Sequence, residues 1–360
     1  MEKVVVGKAN YLAEKGYEVF IVTTEQKGRK PFFGIDRRIE CHDLDINYEN
    51  ENNTSFVRKL VSFKYKQRIH KRRLEEFVRR VKPDIVVSTF GNEVNFLYDI
   101  KDGSKKILEI HFSRFFRFQL DRKGIWKLVD RYRSEVDRKK VEKYDRFVVL
   151  THEDKGYWEG VKNIEVIPNF ITLQDKCADT DSKRAIAVGR FSYQKGYERM
   201  IMAWKKVSGV HPEWTLDIFG NGEEKEKMRT LVDSLGLKGK VMLNDATGNI
   251  GKEYEASSVF ILSSRYEGLP MVLLEAMSYG LAIVTYDCKC GPKDIIEDNR
   301  NGVLVEEGNV EKLADAIIEV MDDDAKRKML AENAKEDSRK YSTDCIMKQW
   351  MNLFDNIVKE

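Results

Sequence analysis

Short, almost wholly apolar runs alternate along the chain with stretches in which apolar residues return every three or four positions. Runs buried on both faces are what a parallel sheet needs, and the longer period is that of helices packed on it. In the first half the pattern predicts strands at Glu18–Thr24, Arg38–His42, Asp84–Thr89, Lys105–His111, Asp145–Leu150 and Ile164–Ile167. In the second half it predicts them at Arg184–Gly189, Trp214–Gly220, Lys240–Leu243, Ser258–Leu262 and Ala282–Tyr286. Strands and helices alternating in this way define an α/β protein with doubly wound parallel sheets. Between the two sets stand Pro168-Asn169-Phe170 and the polar stretch Gln174–Lys183. The expected division is therefore an N-terminal domain of residues 1–170 and a second domain of residues 171–340. From Asn309 the pattern is helical, with Val310, Leu313, Ala314 and Ile317 at core spacing. Ser342-Thr343 has the chemistry of an N-cap for a last helix, residues 341–360, carrying Ile346, Trp350, Leu353 and Ile357.

The start of the chain departs from this scheme. A doubly wound domain opens with a strand, a glycine-rich turn and then a helix. Here Glu2–Lys15 already reads as the helix, closed by Gly16, and Glu18–Thr24 as the second strand. The N-terminal sheet is expected to show a gap, or a substitute strand, beside Glu18–Thr24. The matching expectation for the gene is a reading frame extending roughly 12–20 residues upstream, encoding an apolar strand and a Gly-Gly turn.

Composition narrows the class. The 360 residues suit two domains, and a hydrophobic fraction of 42% with only six prolines excludes a disordered chain. Five cysteines, an odd number thinly spread, fit a reducing compartment better than a disulfide framework. Cys288-Lys289-Cys290 invites a metal reading, but no second Cys/His pair stands at ligand spacing, and no metal is expected. No apolar stretch approaches the ~18–20 residues of a membrane span, and no secretory signal is visible. The net charge of +3 hides an asymmetry: residues 1–170 hold 36 Lys and Arg against 27 Asp and Glu, the remainder 27 against 33. The two halves face different partners.

The strongest chemical signal is Arg265-Tyr266-Glu267-Gly268-Leu269-Pro270-Met271-Val272-Leu273-Leu274-Glu275, which follows an apolar strand and opens a helix with Pro270 at its first position. The amides of Gly268, Leu269, Met271 and Val272 then form an anion site suited to a diphosphate. A carboxylate accepts two hydrogen bonds, which suits Glu275 to the vicinal hydroxyls of a ribose and Glu267 to sugar hydroxyls. The second signal is Gly189-Arg190 followed by Lys195-Gly196, directly after the first strand of the second half. Gly189 admits close approach of the backbone, and Arg190 and Lys195 offer a fork and a point charge to phosphate oxygens. Phe219-Gly220-Asn221-Gly222 is either a tight turn or a wall of the same pocket.

In this order and spacing these residues resemble the family 4 glycosyltransferases of the GT-B fold, over nearly the whole chain. Pro83-Asp84 before a strand, Ile167-Pro168-Asn169 at the hinge, and Gly291–Glu297 followed by Asn301-Gly302 add to the likeness. Pro31–Asp36 and Asp287–Pro292 are similar to the amylovoran-type exopolysaccharide branch. The resemblance implies two Rossmann-like domains facing across a cleft, with the C-terminal helix returning to the N-terminal domain. It implies a nucleotide-sugar donor, Arg190 and Lys195 on its diphosphate, Glu275 on its ribose and Glu267 on the transferred sugar. His111 matches the family's active-site histidine. The reaction implied is retaining and metal-independent, with no cofactor beyond the co-substrate. Asp43-Leu44-Asp45 and Asp322–Asp324 mimic a metal-binding DXD triplet, but with 60 acidic residues such triplets arise by chance. Two departures stand out: the glycine-rich turn is absent, and Asp245 replaces a glycine near the base pocket.

Residues Arg58–Lys82 hold 11 Lys and Arg against two Glu, interleaved with Phe56, Leu60, Phe63, Leu74, Phe77 and Val78; Phe112–Phe118 and Trp126 follow. A solvated helix face is the plain alternative. No nucleic-acid recognition module is present, and an anionic membrane surface bearing a lipid-linked or glycan acceptor fits better. The expected enzyme is a cytoplasmic hexosyltransferase, peripheral on the inner membrane face, using a UDP-sugar or a GDP-sugar to extend a surface polysaccharide precursor. The rivals are a GT-B epimerase or phosphorylase, and a chain that binds nucleotide or a partner without turnover.

Overall fold

A computed structural model describes residues 1–51, 56–120 and 124–360. The side chains of Phe56, Leu60 and Phe118, singled out above, lie outside the described residues. The N-terminal half runs α1 (Glu2–Glu14), β1 (Phe20–Thr23), β2 (Glu40–Asp43), α2 (Phe56–Val81), β3 (Ile85–Ser88), β4 (Lys105–Glu109), α3 (Ile125–Val141), β5 (Arg146–Val149), α4 (His152–Tyr157) and β6 (Ile164–Val166). The second half runs β7 (Arg184–Val188), α5 (Tyr197–Val210), β8 (Thr215–Phe219), α6 (Lys225–Ser234), β9 (Val241–Asn244), α7 (Ile250–Glu255), β10 (Val259–Leu262), α8 (Met271–Tyr279), β11 (Ala282–Tyr286), α9 (Pro292–Ile295), β12 (Val303–Val305), α10 (Val310–Asp322), α11 (Asp324–Ser338) and α12 (Thr343–Lys359).

The second half is built on one six-stranded parallel sheet in the order β12-β11-β10-β7-β8-β9. The order reverses between β7 and β10, the switch point at which a doubly wound sheet opens a crevice at its carboxyl edge. β10 and β11 are buried at every position because α5 and α10 cover one face and α8 and α11 the other. Local chemistry sets the helix limits. Asn309 Oδ1 accepts the Lys312 amide (3.1 Å) at the start of α10, and α8 stops at Gly280, which adopts φ +73°.

The N-terminal half carries two parallel sheets, β1-β2 and β3-β4-β5-β6. Among the described residues no strand lies between β1 and β3, so the sheet is divided beside Phe20–Thr23. α2 and α3 cover one face of these strands through Leu74, Phe77, Val78 and Val141. On the other face α12 lays Ile346, Met347, Trp350, Phe354 and Ile357 against Ile107 and Val148. Ser342 Oγ caps α12 by accepting the Cys345 amide (3.3 Å).

Three details differ from the pattern. β4 ends at Glu109, so His111 lies two residues past the strand rather than closing it. Pro270 is the residue before α8 rather than its first, with φ −72° and ψ 92°. β12, a three-residue strand, is too short to stand out among its polar neighbours.

Candidate active site

β10 runs out into Ser263 and Ser264, both wholly buried, and the chain turns through Glu267 and Gly268 into α8. Ser263 Oγ donates to the carbonyl of Lys195 (2.9 Å). Ser264 Oγ (2.6 Å) and Lys195 Nζ (2.7 Å) both donate to Glu267 Oε1. The loops after β7 and β10 are thus stitched together across the switch point. The fit leaves no room for side chains at two glycines. Gly196 adopts φ +60°, and a Cβ there would lie 2.4 Å from the Ser263 carbonyl oxygen. A Cβ on Gly220 would lie 1.9 Å from the carbonyl oxygen of Gly189. Gly220 therefore backs the phosphate-side loop rather than presenting a group of its own.

Met271 and Val272 form the first turn of α8, whose amides have no acceptor within the helix, and Gly268-Leu269 lead into it. Glu275 follows one turn on, with Oε1 3.3 Å from Lys3 Nζ of α1. Together with Lys3, Phe170, Thr172, Tyr254 and Met271 it lines a cavity of about 140 Å³ between the two halves. Arg190 is not gathered into this group. Its side chain is 75% exposed, with Nε 3.5 Å from Glu223 Oε2. Asp245 also faces solvent and accepts from Lys225 Nζ (2.6 Å).

His111 arrives from the other side. A Cβ on Gly268 would stand 2.8 Å from the His111 carbonyl oxygen and 3.0 Å from Phe112 Cα, so the two halves meet here in backbone contact. The imidazole is nearly buried, with Nε2 3.4 Å from Glu109 Oε1. That approach is too poorly aligned to count as a hydrogen bond, and neither ring nitrogen has a hydrogen-bond partner among the described residues. The structure therefore brings Lys195, Glu267, Gly268 and the His111 backbone together, sets Glu275 at the adjoining cavity and leaves Arg190 outside.

Residues 1–175 match the family model described as Glycosyltransferase Family 4, and residues 172–337 the one described as Glycosyl transferases group 1. The chain belongs to the family 4 glycosyltransferases. An uncharacterised glycosyltransferase of Haemophilus influenzae is 28% identical over 360 residues, covering 98% of this chain and 95% of that protein. The amylovoran biosynthesis glycosyltransferase AmsD of Erwinia amylovora is 32% identical over 223 residues, 59% of this chain and 62% of AmsD. A solved structure of TarM from S. aureus shares the fold at TM-score 0.77 and 17% identity, covering 98% of this chain and 96% of that one. The GT-B arrangement of two Rossmann-like domains is the architecture described above.

Several groups of this glycosyltransferase were not singled out by its sequence. The hydroxyls of Tyr197, beside Gly189, and of Tyr254, in the Glu275 cavity, are buried with no hydrogen-bond partner among the described residues. Burial pushes both phenols well above their usual range, so they remain protonated donors. Lys8 and Glu109 form a buried ion pair behind His111. Burial alone would raise the Glu109 carboxyl, but the charge of Lys8 and the contact with His111 outweigh it and hold it at about 2. Burial draws Lys8 below its usual value. A signal for Glu109 was present: a carboxylate two residues before His111, at the end of a strand whose preceding residues, Ile107 and Leu108, are apolar. Cys288 and Cys290 are buried thiols pushed up by burial, and no three His, Cys, Asp or Glu side chains among the described residues gather as a metal site.

Proposed function

We propose that this glycosyltransferase moves a hexose from a UDP-sugar, with retention of configuration and without a metal, to a lipid-linked or glycan acceptor in cell-surface polysaccharide synthesis. The observation that carries the reading is the Lys195–Glu267–Ser264 cluster at the sheet's switch point, set against the backbone of His111. In this reading the α8 amides, Lys195 and Arg190 take the donor diphosphate, with Arg190 swinging in from solvent. Their charge and dipoles stabilise the leaving diphosphate as negative charge builds on it, the largest contribution in sites of this kind. Glu275 takes the ribose hydroxyls and Glu267 those of the sugar, while His111 stands on the acceptor side. Relatives support the donor and acceptor classes: TarM was crystallised with UDP and α-GlcNAc-glycerol, and AmsD is named for amylovoran biosynthesis.

A membrane-borne acceptor is supported by the N-terminal half. α2 and α3 both begin at the carboxyl edge of their sheet, the edge that borders the cleft. Their N-terminal halves expose Val61, Phe63 and Tyr65 on one and Trp126, Leu128 and Tyr132 on the other, among basic side chains. Among the described residues no helix is long and apolar enough to cross a membrane, so contact would be peripheral.

A panel of UDP- and GDP-hexoses assayed in excess EDTA tests the proposal. One UDP-hexose should be turned over in EDTA, and Glu275→Ala and Arg190→Ala should each weaken UDP binding by about 1.5–3 kcal/mol. A strict requirement for Mg²⁺ or Mn²⁺, or unchanged UDP affinity in both variants, would overturn it. The divided N-terminal sheet favours one other reading, nucleotide binding without turnover; tight UDP binding with no donor consumed would select that instead.

A further inference from the structure

Behind His111 lies a line of buried charge that the donor-site reading does not use. It starts on α12, where the Trp350 ring lies beneath Lys8 of α1, with Nζ 3.4 Å from the ring centroid. Lys8 Nζ donates to Glu109 Oε2, and the other carboxylate oxygen faces His111 Nε2 at 3.4 Å. The Lys8 and Glu109 side chains are 9% and 4% exposed. A buried pair of this kind is a poor source of stability, because removing two charges from water costs about as much as their attraction returns. Hydrophobic residues of the same volume would pack the space between α1, β4 and α12 at least as well. The arrangement has a second feature that packing does not require. Glu109 splits its two oxygens between the Lys8 side chain and the imidazole, and that imidazole has no hydrogen-bond partner among the described residues to set its orientation.

We propose that Glu109, anchored by Lys8, is a positioning residue for His111: it keeps the proton on Nε2 and thereby leaves Nδ1 as the acceptor of the ring. The inference rests on the reading that puts His111 at the reaction centre. Lys8 acts one step further back. Its charge, seated on the Trp350 ring, keeps Glu109 an acceptor rather than a donor, so that the C-terminal helix takes part in setting the imidazole. The contact closes to a hydrogen bond when the cleft is loaded, as catalytic contacts commonly tighten in the substrate complex.

Glu109→Gln alone strands the Lys8 charge and risks unfolding the chain, so two other variants carry the test. Lys8→Met/Glu109→Gln removes both charges at nearly constant volume. Glu109→Asp keeps a carboxylate beside Lys8 but withdraws it from His111 by one methylene. In the full chain, both should fold and bind UDP as the parent does. Both should lose turnover, the double variant by about tenfold or more, and both should shift the side-chain ¹⁵N resonances of His111 away from the single-tautomer pattern. A merely structural pair would instead leave the double variant with full kcat and unmoved imidazole resonances, which overturns the proposal. His111→Ala assayed alongside separates the two possible failures. Lost turnover there with full turnover in the double variant overturns the positioning role alone, whereas full turnover in His111→Ala overturns the reading beneath it.

Discussion

Gly268 is the position where one methyl group matters most. Its hydrogen faces the His111 carbonyl oxygen, and the 2.8 Å left for a Cβ is shorter than such contacts allow. The opposing atoms are backbone, which cannot rotate away as the end of a side chain can. Gly268→Ala should therefore hold the two halves apart by a few tenths of an ångström, with neither core disturbed. The expected result is a clear fall in kcat with UDP affinity and thermal midpoint close to the parent, since positional errors of this size weigh on the reaction step. A variant with unaltered kcat would show that the contact is not kept during turnover. At the same scale, the positions of Lys195 after β7, of Glu267 in the turn before α8 and of Glu275 within α8 were legible, because each is set by the strand or helix next to it in sequence. The Lys8–Glu109 pair was not, because its partners are 101 residues apart and meet only through tertiary packing. Arg190 is near Lys195 in sequence, but its side chain points outward to Glu223. In the basic stretch, Arg73 donates to the carbonyls of Leu44 and Asp45 and so ties α2 to the end of β2 instead of presenting free charge.

Among whole elements, the strands buried on both faces were read almost to the residue: Ala282–Tyr286 in the pattern is β11 in the structure, and Ser258–Leu262 overlaps β10 at all but its first position. Strand β2, Glu-Cys-His-Asp, overlaps the expected Arg38–His42 but lies two residues later at its start and one at its end. β12 was lost for want of length. The last helix was legible from its cap and its apolar stripe; the structure adds what the stripe packs against. Trp350, 3% exposed, rests on Phe354 as well as Lys8, and its removal opens a cavity beneath both. Trp350→Ala should cost about 3–5 kcal/mol of stability, the range for a buried aromatic. Urea unfolding checks it, and a loss below about 1 kcal/mol would mean that α12 is only loosely docked.

At the scale of the molecule, the two halves are joined by more than the hinge. The amides of His152 (2.6 Å) and Glu153 (3.2 Å), at the start of α4, donate to the Asp294 carboxylate of α9, and Glu153 in turn accepts from the Cys290 amide (3.0 Å). The cavity beside Glu275, about 140 Å³, is small against the ~300–1,000 Å³ typical of ligand pockets, so the proposed role of Glu275 on the ribose requires the Lys3–Glu275 contact to part. Charge is also a whole-molecule property. With the positive excess in the N-terminal half, the protein should bind anionic vesicles and release them steeply as salt rises. Charge reversal at Lys64, Arg68 and Arg72, all exposed on α2, should abolish the binding. Equal affinity for neutral vesicles, or binding indifferent to salt, would reduce the stretch to a solvated helix face.

The divided N-terminal sheet has a mechanical consequence. A parallel sheet resists shear because every strand is bonded to the next, and that stiffness carries load straight across a domain. Between β1 and β3 the described strands make no such ladder, so load crosses that line only through side chains. The piece formed by α1, β1 and β2 is therefore held to its neighbours by apolar packing and by side-chain contacts such as Lys8–Glu109 and Tyr11–Asp344. Lys3 and Lys8 both ride on α1, one touching Glu275 and the other Glu109. Any displacement of α1 would therefore reach the contact at Glu275 and the contact behind His111 together, joining through one helix two places that no hydrogen-bonded strand connects.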